Sequence, residues 1–217
     1  MYESWPAPLP HGGTSEEMAL VFPGKAELRL LIISPLFDEA NKLRRQLREV
    51  MRLLSLQGFA SVLPDLPGCN ESLAPLHGQT LSSWRQAAEA AARYFAASHV
   101  LALRAGCALA PTDLPGWLYS PLEPARSLRQ LRRAQQVSEV EIGQDSEHAE
   151  ATLAGWTLGP DMLAELENAA PVPSPRHRVV EQEEIGGTPL WLRAEIGQDA
   201  AQADALAKLL AEGMAPQ

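Results

Sequence analysis

The sequence predicts a three-layer α/β fold with a mostly parallel central sheet flanked by helices, and three observations carry that reading. Short, near-continuous apolar runs alternate with stretches of helical length, the pattern of βαβ units. The runs are too apolar to belong to a half-exposed sheet, so both faces of the sheet must be covered by helices. The length of 217 residues, with 46% hydrophobic and 21% charged residues, suits one ordinary core and excludes a disordered chain.

The first clear strand is ELRLLIISPLF from Glu27, where Leu30 to Ile33 is unbroken apolar sequence stopped by Pro35. The next stretch, DEANKLRRQLREVMRLLSLQG, places Leu43, Leu47, Val50, Met51 and Leu54 at helical spacing, with acids in the first turn and Gly58 as a stop. Phe59 to Leu63 is a second strand that ends in a turn rich in Pro, Asp and Gly. A helix carrying Trp84 follows, from about Leu81 to Ala97. The third strand, about His99 to Leu103, runs straight into small residues, and GWLYSP is a fourth.

Beyond Pro121 the alternation weakens. Residues 123–137 form a basic helix, 138–148 are polar, and ATLAGWTLGPDMLAELENAA reads as a strand, a turn at Gly159–Pro160 and a short helix. After the PVPSPRHR linker, PLWLRAEIG reads as a last strand, and a C-terminal helix follows with Asp199 as its N-cap. The whole chain, 1–217, is therefore expected to be one domain, reduced in size, with about 138–177 as a cap-like excursion and linker.

Bulk properties exclude several function classes. A net charge of −9 opposes general nucleic-acid binding, which needs a positive field to displace counterions from phosphates. The N-terminal MYESWPAPLPHGGTSEEM has neither a basic start nor an apolar stretch, and no segment approaches the roughly 20 apolar residues of a membrane span. Cys69 and Cys107 form no metal-binding or redox spacing. The sequence thus reads as a soluble cytoplasmic protein with no cofactor, no metal, no nucleic acid and no membrane span.

Open α/β sheets bind ligands beyond the carboxyl ends of their strands. Three segments stand there: SPLFDEANK, PDLPGCNES and LRAGC. The last is the most informative. In the G-x-S-x-G nucleophile elbow, small residues flank a serine so that a tight strand-to-helix turn can lift its hydroxyl above the sheet. Ala102, Arg104, Gly106 and Ala108 align with that pattern, which makes the fold α/β-hydrolase-like and puts Arg104 in the nucleophile position. Guanidinium stays protonated and can neither attack a carbonyl nor take a proton. Making Cys107 the nucleophile instead would put Leu109 where a small residue is needed, so Cys107 reads as a small hydrophobe behind the turn.

SPLFDEANKLRRQ, VLPDLPGCNES, the tryptophan-bearing helix and LRAGCALA together resemble the α/β-hydrolase-like proteins of the exosortase A and PEP-CTERM protein-sorting system of Gram-negative bacteria, the group labelled exosortase A system-associated hydrolase 2. Glu39, Asn41, Lys42, Arg44 and Arg45 match the first motif of that group. Asp65, Gly68, Cys69 and Ser72 match the second, and Arg104 and Gly106 the third. Asp38, Asn70 and Glu71 depart from it. The resemblance covers residues 27 to 137 well and the last forty weakly. It implies an α/β-hydrolase fold in exopolysaccharide-linked protein sorting, with the hydrolase label resting on the fold.

A guanidinium at the end of a central strand is partly desolvated and needs a carboxylate partner. Glu39 is the first candidate for that partner and Asp65 the second. The candidate crevice is therefore Glu39, Asn41, Lys42, Asp65, Ser72 and Arg104, holding a small anionic or acyl ligand, or else a protein partner. The bland version of the network is a lock on the loops. A second triad finds little support: His148 lies in a polar stretch, His177 in a linker, His11 near a loose N-terminus, His77 in a loop and His99 at a strand start. The alternative function is an esterase or thioesterase acting on an acyl ester or carrier-bound substrate. It would require Ser34, Ser72 or Cys107 within reach of a base. The arginines at 126, 129, 132 and 133, like the basic residues from Lys42 to Arg52, read first as solvated helix faces paired with nearby acids, with docking to an acidic partner or an anionic lipid surface as the alternative.

Overall fold

A computed structural model describes residues 1–25, 27–139, 151–169, 174–193 and 195–215. Nine strands and six helices appear among them. In chain order these are β1 (Tyr2–Pro8), β2 (Thr14–Phe22), β3 (Arg29–Ile33), α1 (Asp38–Leu56), β4 (Ala60–Pro64), α2 (Leu81–Tyr94), β5 (His99–Leu103), β6 (Gly116–Tyr119), α3 (Pro124–Glu139), β7 (Ala151–Leu153), β8 (Trp156–Leu158), α4 (Pro160–Asn168), β9 (His177–Val180), α5 (Gln182–Ile185) and α6 (Ala200–Met214). The main sheet has the order β1-β2-β4-β3-β5-β6-β9. Its five strands from β4 to β9 pair in parallel, while β1 and β2 form an antiparallel hairpin docked on β4.

The apolar run at 30–33 shows why both faces are covered. Successive strand residues point to opposite sides. Leu30 and Ile32 join Leu47, Met51, Leu54 and Leu206 in a core under α1 and α6. Leu31 and Ile33 join Trp84, Ala88, Ala102 and Leu128 in a core under α2 and α3. The molecule is a three-layer α/β-hydrolase-like fold, with β7 and β8 forming a separate small hairpin.

Two expectations need correction. The N-terminus is not loose: Trp5 and Ala7 on β1 are fully buried, and the hairpin closes through Gly12 and Gly13, both at positive φ. Pro6 and Pro8 mask the strand in the sequence, since proline removes a ladder donor and is tolerated only at a sheet edge. The last strand of the sheet is not PLWLRAEIG but His177–Val180, which begins at the end of the segment read as a linker. Leu190–Leu192 is a 3-10 turn whose Leu190 and Trp191 are buried. It begins just after Pro189, which supplies no ladder donor. The polar stretch 140–150, with His148, and residues 170–173 of the linker lie outside the described residues.

Helix boundaries follow their caps. Asp199 accepts from the backbone N–H groups of Ala201 and Gln202, as expected for the N-cap of α6. At α2 the Thr80 hydroxyl accepts from Ser83 N at 2.9 Å while Ser83 Oγ accepts from Thr80 N at 3.0 Å, a reciprocal capping box. Thr80→Ala should lower stability by about 1 kcal/mol, read as a drop in the urea midpoint with an unchanged slope.

Candidate functional site

The parallel strands β3, β4, β5 and β6 are each followed, within a few residues, by a non-glycine residue at positive φ: Phe37 at 56°, Asn70 at 51°, Arg104 at 53° and Ser120 at 45°. Such residues cost free energy and persist only where surrounding structure holds them, and these four stand beyond the carboxyl ends of the parallel strands, where the candidate crevice lies, while Ala96 at 49° and Ala154 at 51° adopt the same conformation elsewhere. Arg104 is the first residue of the sharp turn after β5, in the strained conformation that an elbow nucleophile takes. Packing requires the small residue two positions on: a Cβ on Gly106 would lie 2.0 Å from the Ser34 carbonyl oxygen.

The strain aims the guanidinium into a closed set of partners. Arg104 Nε donates to Glu39 Oε2 at 3.0 Å and Nη2 to Glu39 Oε1 at 3.3 Å. Nη1 donates to the Ser120 carbonyl oxygen at 3.1 Å. On one face of the guanidinium lies the Trp191 ring, with its centroid 4.3 Å from Cζ. Arg104 is 9% exposed, so this pair is a desolvated one. Glu39 reaches it from the first turn of α1 and Ser120 from the strained turn after β6.

Asp65, the expected second partner, faces elsewhere. It is nearly buried and takes Arg44 Nη1 on Oδ1 at 2.8 Å, with Asn70 Nδ2 at 2.6 Å on the same oxygen. Arg44 and Glu39 are five residues apart on α1, about 140° around the helix, so the two ion pairs serve opposite sides of it. Ser72 joins neither pair. Its hydroxyl donates to Glu17 Oε1 at 2.8 Å and accepts from the backbone N–H groups of Gly68 and Ala74.

Burial raises the Glu17 pKa, with the Ser72 hydrogen bond opposing and Asp65 adding to the rise, and Glu17 Oε2 is buried without a hydrogen-bond partner among the described residues. Glu17 was not predicted, because it lies in the hairpin that the prolines hide. The apolar run MALVF that follows it is the sequence signal of a strand there. Trp191 was missed because its segment reads as a strand.

Asn41 is exposed and lines a small cavity with Ser34, Asp65, Cys69 and Trp156. Lys42 Nζ donates to the Trp191 carbonyl oxygen at 3.3 Å. The six predicted residues therefore fall into two clusters along α1: Glu39, Lys42 and Arg104 around Trp191, and Asn41, Asp65 and Ser72 toward β2 and β4.

Nucleophile chemistry needs an activated group. Burial pushes the Cys107 thiol up to about 12 despite the nearby Arg104, and the thiol donates to the Ala102 carbonyl oxygen. Burial, with Asp65 and Glu17 adding, pushes Cys69 up to about 12 as well. Neither is a thiolate. His99 and His177 begin β5 and β9, at the sheet edge opposite the crevice, and His11 sits at the β1–β2 turn. His77 is in a 3-10 turn whose carbonyl packs on Gly159. The late segment that reaches the elbow supplies the Trp191 indole, which has no acceptor nitrogen. Among the described residues no cluster of His, Cys, Asp or Glu is placed to hold a metal, and no helix is long and apolar enough to cross a membrane.

No family model and no curated protein matches the chain. Solved structures do match along nearly its whole length. A protein of Agrobacterium vitis S4 described as a candidate hydrolase aligns with a TM-score of 0.58 at 12% identity, covering 96% of this chain and 97% of that one. Est1E from Butyrivibrio proteoclasticus, solved with ferulic acid bound, gives 0.57 at 12% identity over 92% and 94%. Mouse alpha/beta hydrolase domain-containing protein 10 gives 0.56 at 13% identity over 98% of both. At these identities the likeness is one of fold.

Proposed function

We propose that this chain is a ligand-binding member of the α/β-hydrolase fold, serving the exosortase A and PEP-CTERM sorting system of a Gram-negative cytoplasm without serine-hydrolase turnover. The observation that carries the reading is the elbow itself: Arg104, in the strained turn, is held by Glu39, the Ser120 carbonyl and Trp191. An elbow so occupied offers no hydroxyl to an acyl carbon, and the segment that would bring an imidazole brings an indole. The tie to protein sorting rests on the three motifs around Glu39, Asp65 and Arg104.

Two observations favour the second reading, an esterase or thioesterase with an unusual constellation. The fold is shared with Est1E along nearly its whole length, and the Ser72 hydroxyl lies 2.8 Å from the buried Glu17 carboxyl, a hydroxyl within reach of a base. Against it, two backbone N–H groups already occupy the Ser72 oxygen.

Purified protein incubated with p-nitrophenyl acyl esters, acyl-CoA and a fluorophosphonate separates the readings. The first expects no release above buffer and no mass adduct. Turnover abolished by Ser72→Ala would establish the second.

A further inference from the structure

A groove of about 190 Å³ runs beside the elbow, between the start of α1, one face of α3 and Trp191. Its charges are unevenly satisfied. Glu39 is taken in bidentate fashion by Arg104, and Asp38 accepts from Trp156 Nε1 at 3.1 Å. Arg104 in turn has all three of its nitrogens engaged.

Lys42 is different. It is half-buried, and its ammonium meets only the Trp191 carbonyl oxygen. Across the groove stands Ser127, 5% exposed, whose hydroxyl has no hydrogen-bond partner among the described residues. A lysine with three donors and one backbone acceptor, sharing a groove with an unengaged hydroxyl, leaves two kinds of donor open to an anionic acceptor. The remaining walls are the apolar Leu36, Phe37, Leu131 and Ala134, the Trp191 ring and the amide of Gln130.

We propose that this groove binds a small carboxylic acid, its carboxylate between Lys42 Nζ and Ser127 Oγ and its apolar tail against Phe37 and Leu131. The proposal rests on the ligand-binding reading above and names the ligand class. Carboxylate is favoured over phosphate because the groove offers one cation and one hydroxyl, too few donors for a dianion, and its wall already carries the Asp38 and Glu39 carboxylates. A volume of about 190 Å³ has room for a short apolar tail.

The test uses the full chain and hexanoate, with hexan-1-ol and inorganic phosphate as comparison probes, titrated by calorimetry. Hexanoate should bind, hexanol should bind at least about tenfold more weakly, and phosphate should not compete. Lys42→Met should weaken hexanoate by about 10- to 100-fold, the range of a charge-assisted hydrogen bond, and Ser127→Ala by a smaller factor. Thermal melts should show both variants folded. Equal affinity for hexanoate and hexanol, hexanoate binding unchanged in Lys42→Met, or no binding of hexanoate at all would each overturn the proposal. Failure of the parent reading looks different. Hydrolysis of p-nitrophenyl hexanoate would end the claim of no turnover, while the groove assignment stands if hexanoate inhibits that hydrolysis and Lys42→Met relieves the inhibition.

Discussion

Glu39→Ala should destabilise the protein by about 3–5 kcal/mol, because it strands the Arg104 guanidinium in a nearly closed site. The magnitude comes from the uncompensated charge rather than from the pair itself, and that distinction is testable. Glu39→Gln leaves one carboxamide oxygen to accept from the guanidinium and should cost clearly less. Removing both charges with Glu39→Ala and Arg104→Leu together should recover much of the loss, since a buried pair replaced by apolar groups is often neutral. Urea denaturation of the three variants reads this directly. A cost below about 1 kcal/mol for Glu39→Ala, the value of an exposed pair, would mean that water reaches the guanidinium.

Gly106→Ala should cost about 3 kcal/mol or more, the upper range of overpacking. Its Cβ would sit 2.0 Å from the Ser34 carbonyl oxygen and 3.0 Å from the Ser34 carbonyl carbon, and both atoms belong to the backbone that follows the central strand β3. A side chain could rotate away, whereas this backbone is tied to its neighbours by the sheet. Gly78→Ala is the matched control, because its Cβ would meet only the Pro75 side chain at 3.7 Å. The melting temperatures of the two variants should separate widely. Equal melting temperatures would mean that the elbow is looser than drawn.

The sequence made the parallel core legible because each of its strands is a short apolar run followed by a chain-reversing signal. Leu30 to Ile33 and Val100 to Leu103 could be placed from composition alone, as could the helix that buries Leu47 and Met51. The edges of the sheet were not legible. β1 contains two prolines and β9 is a four-residue strand with a half-exposed Val179, and edge strands need neither continuous hydrophobicity nor a full ladder.

The site divided in the same way. Arg104 with Glu39 followed from the cost of an unpaired buried charge. Asp65 as a second partner did not, because helix phase gives it to Arg44. Trp191 and Glu17 lie on segments whose placement depends on long-range packing, which local periodicity does not encode.

The Arg104 guanidinium is immobilised at the turn after β5, and its side-chain proton resonance reports that state. In a ¹H–¹⁵N spectrum the Arg104 Nε–H should appear as a single signal protected from solvent exchange. The signal should shift when Trp191→Leu removes the ring current and lose its protection in Glu39→Ala. A rapidly exchanging Arg104 Nε–H, unmoved by either substitution, would contradict the account and return the elbow to the crevice as an open site.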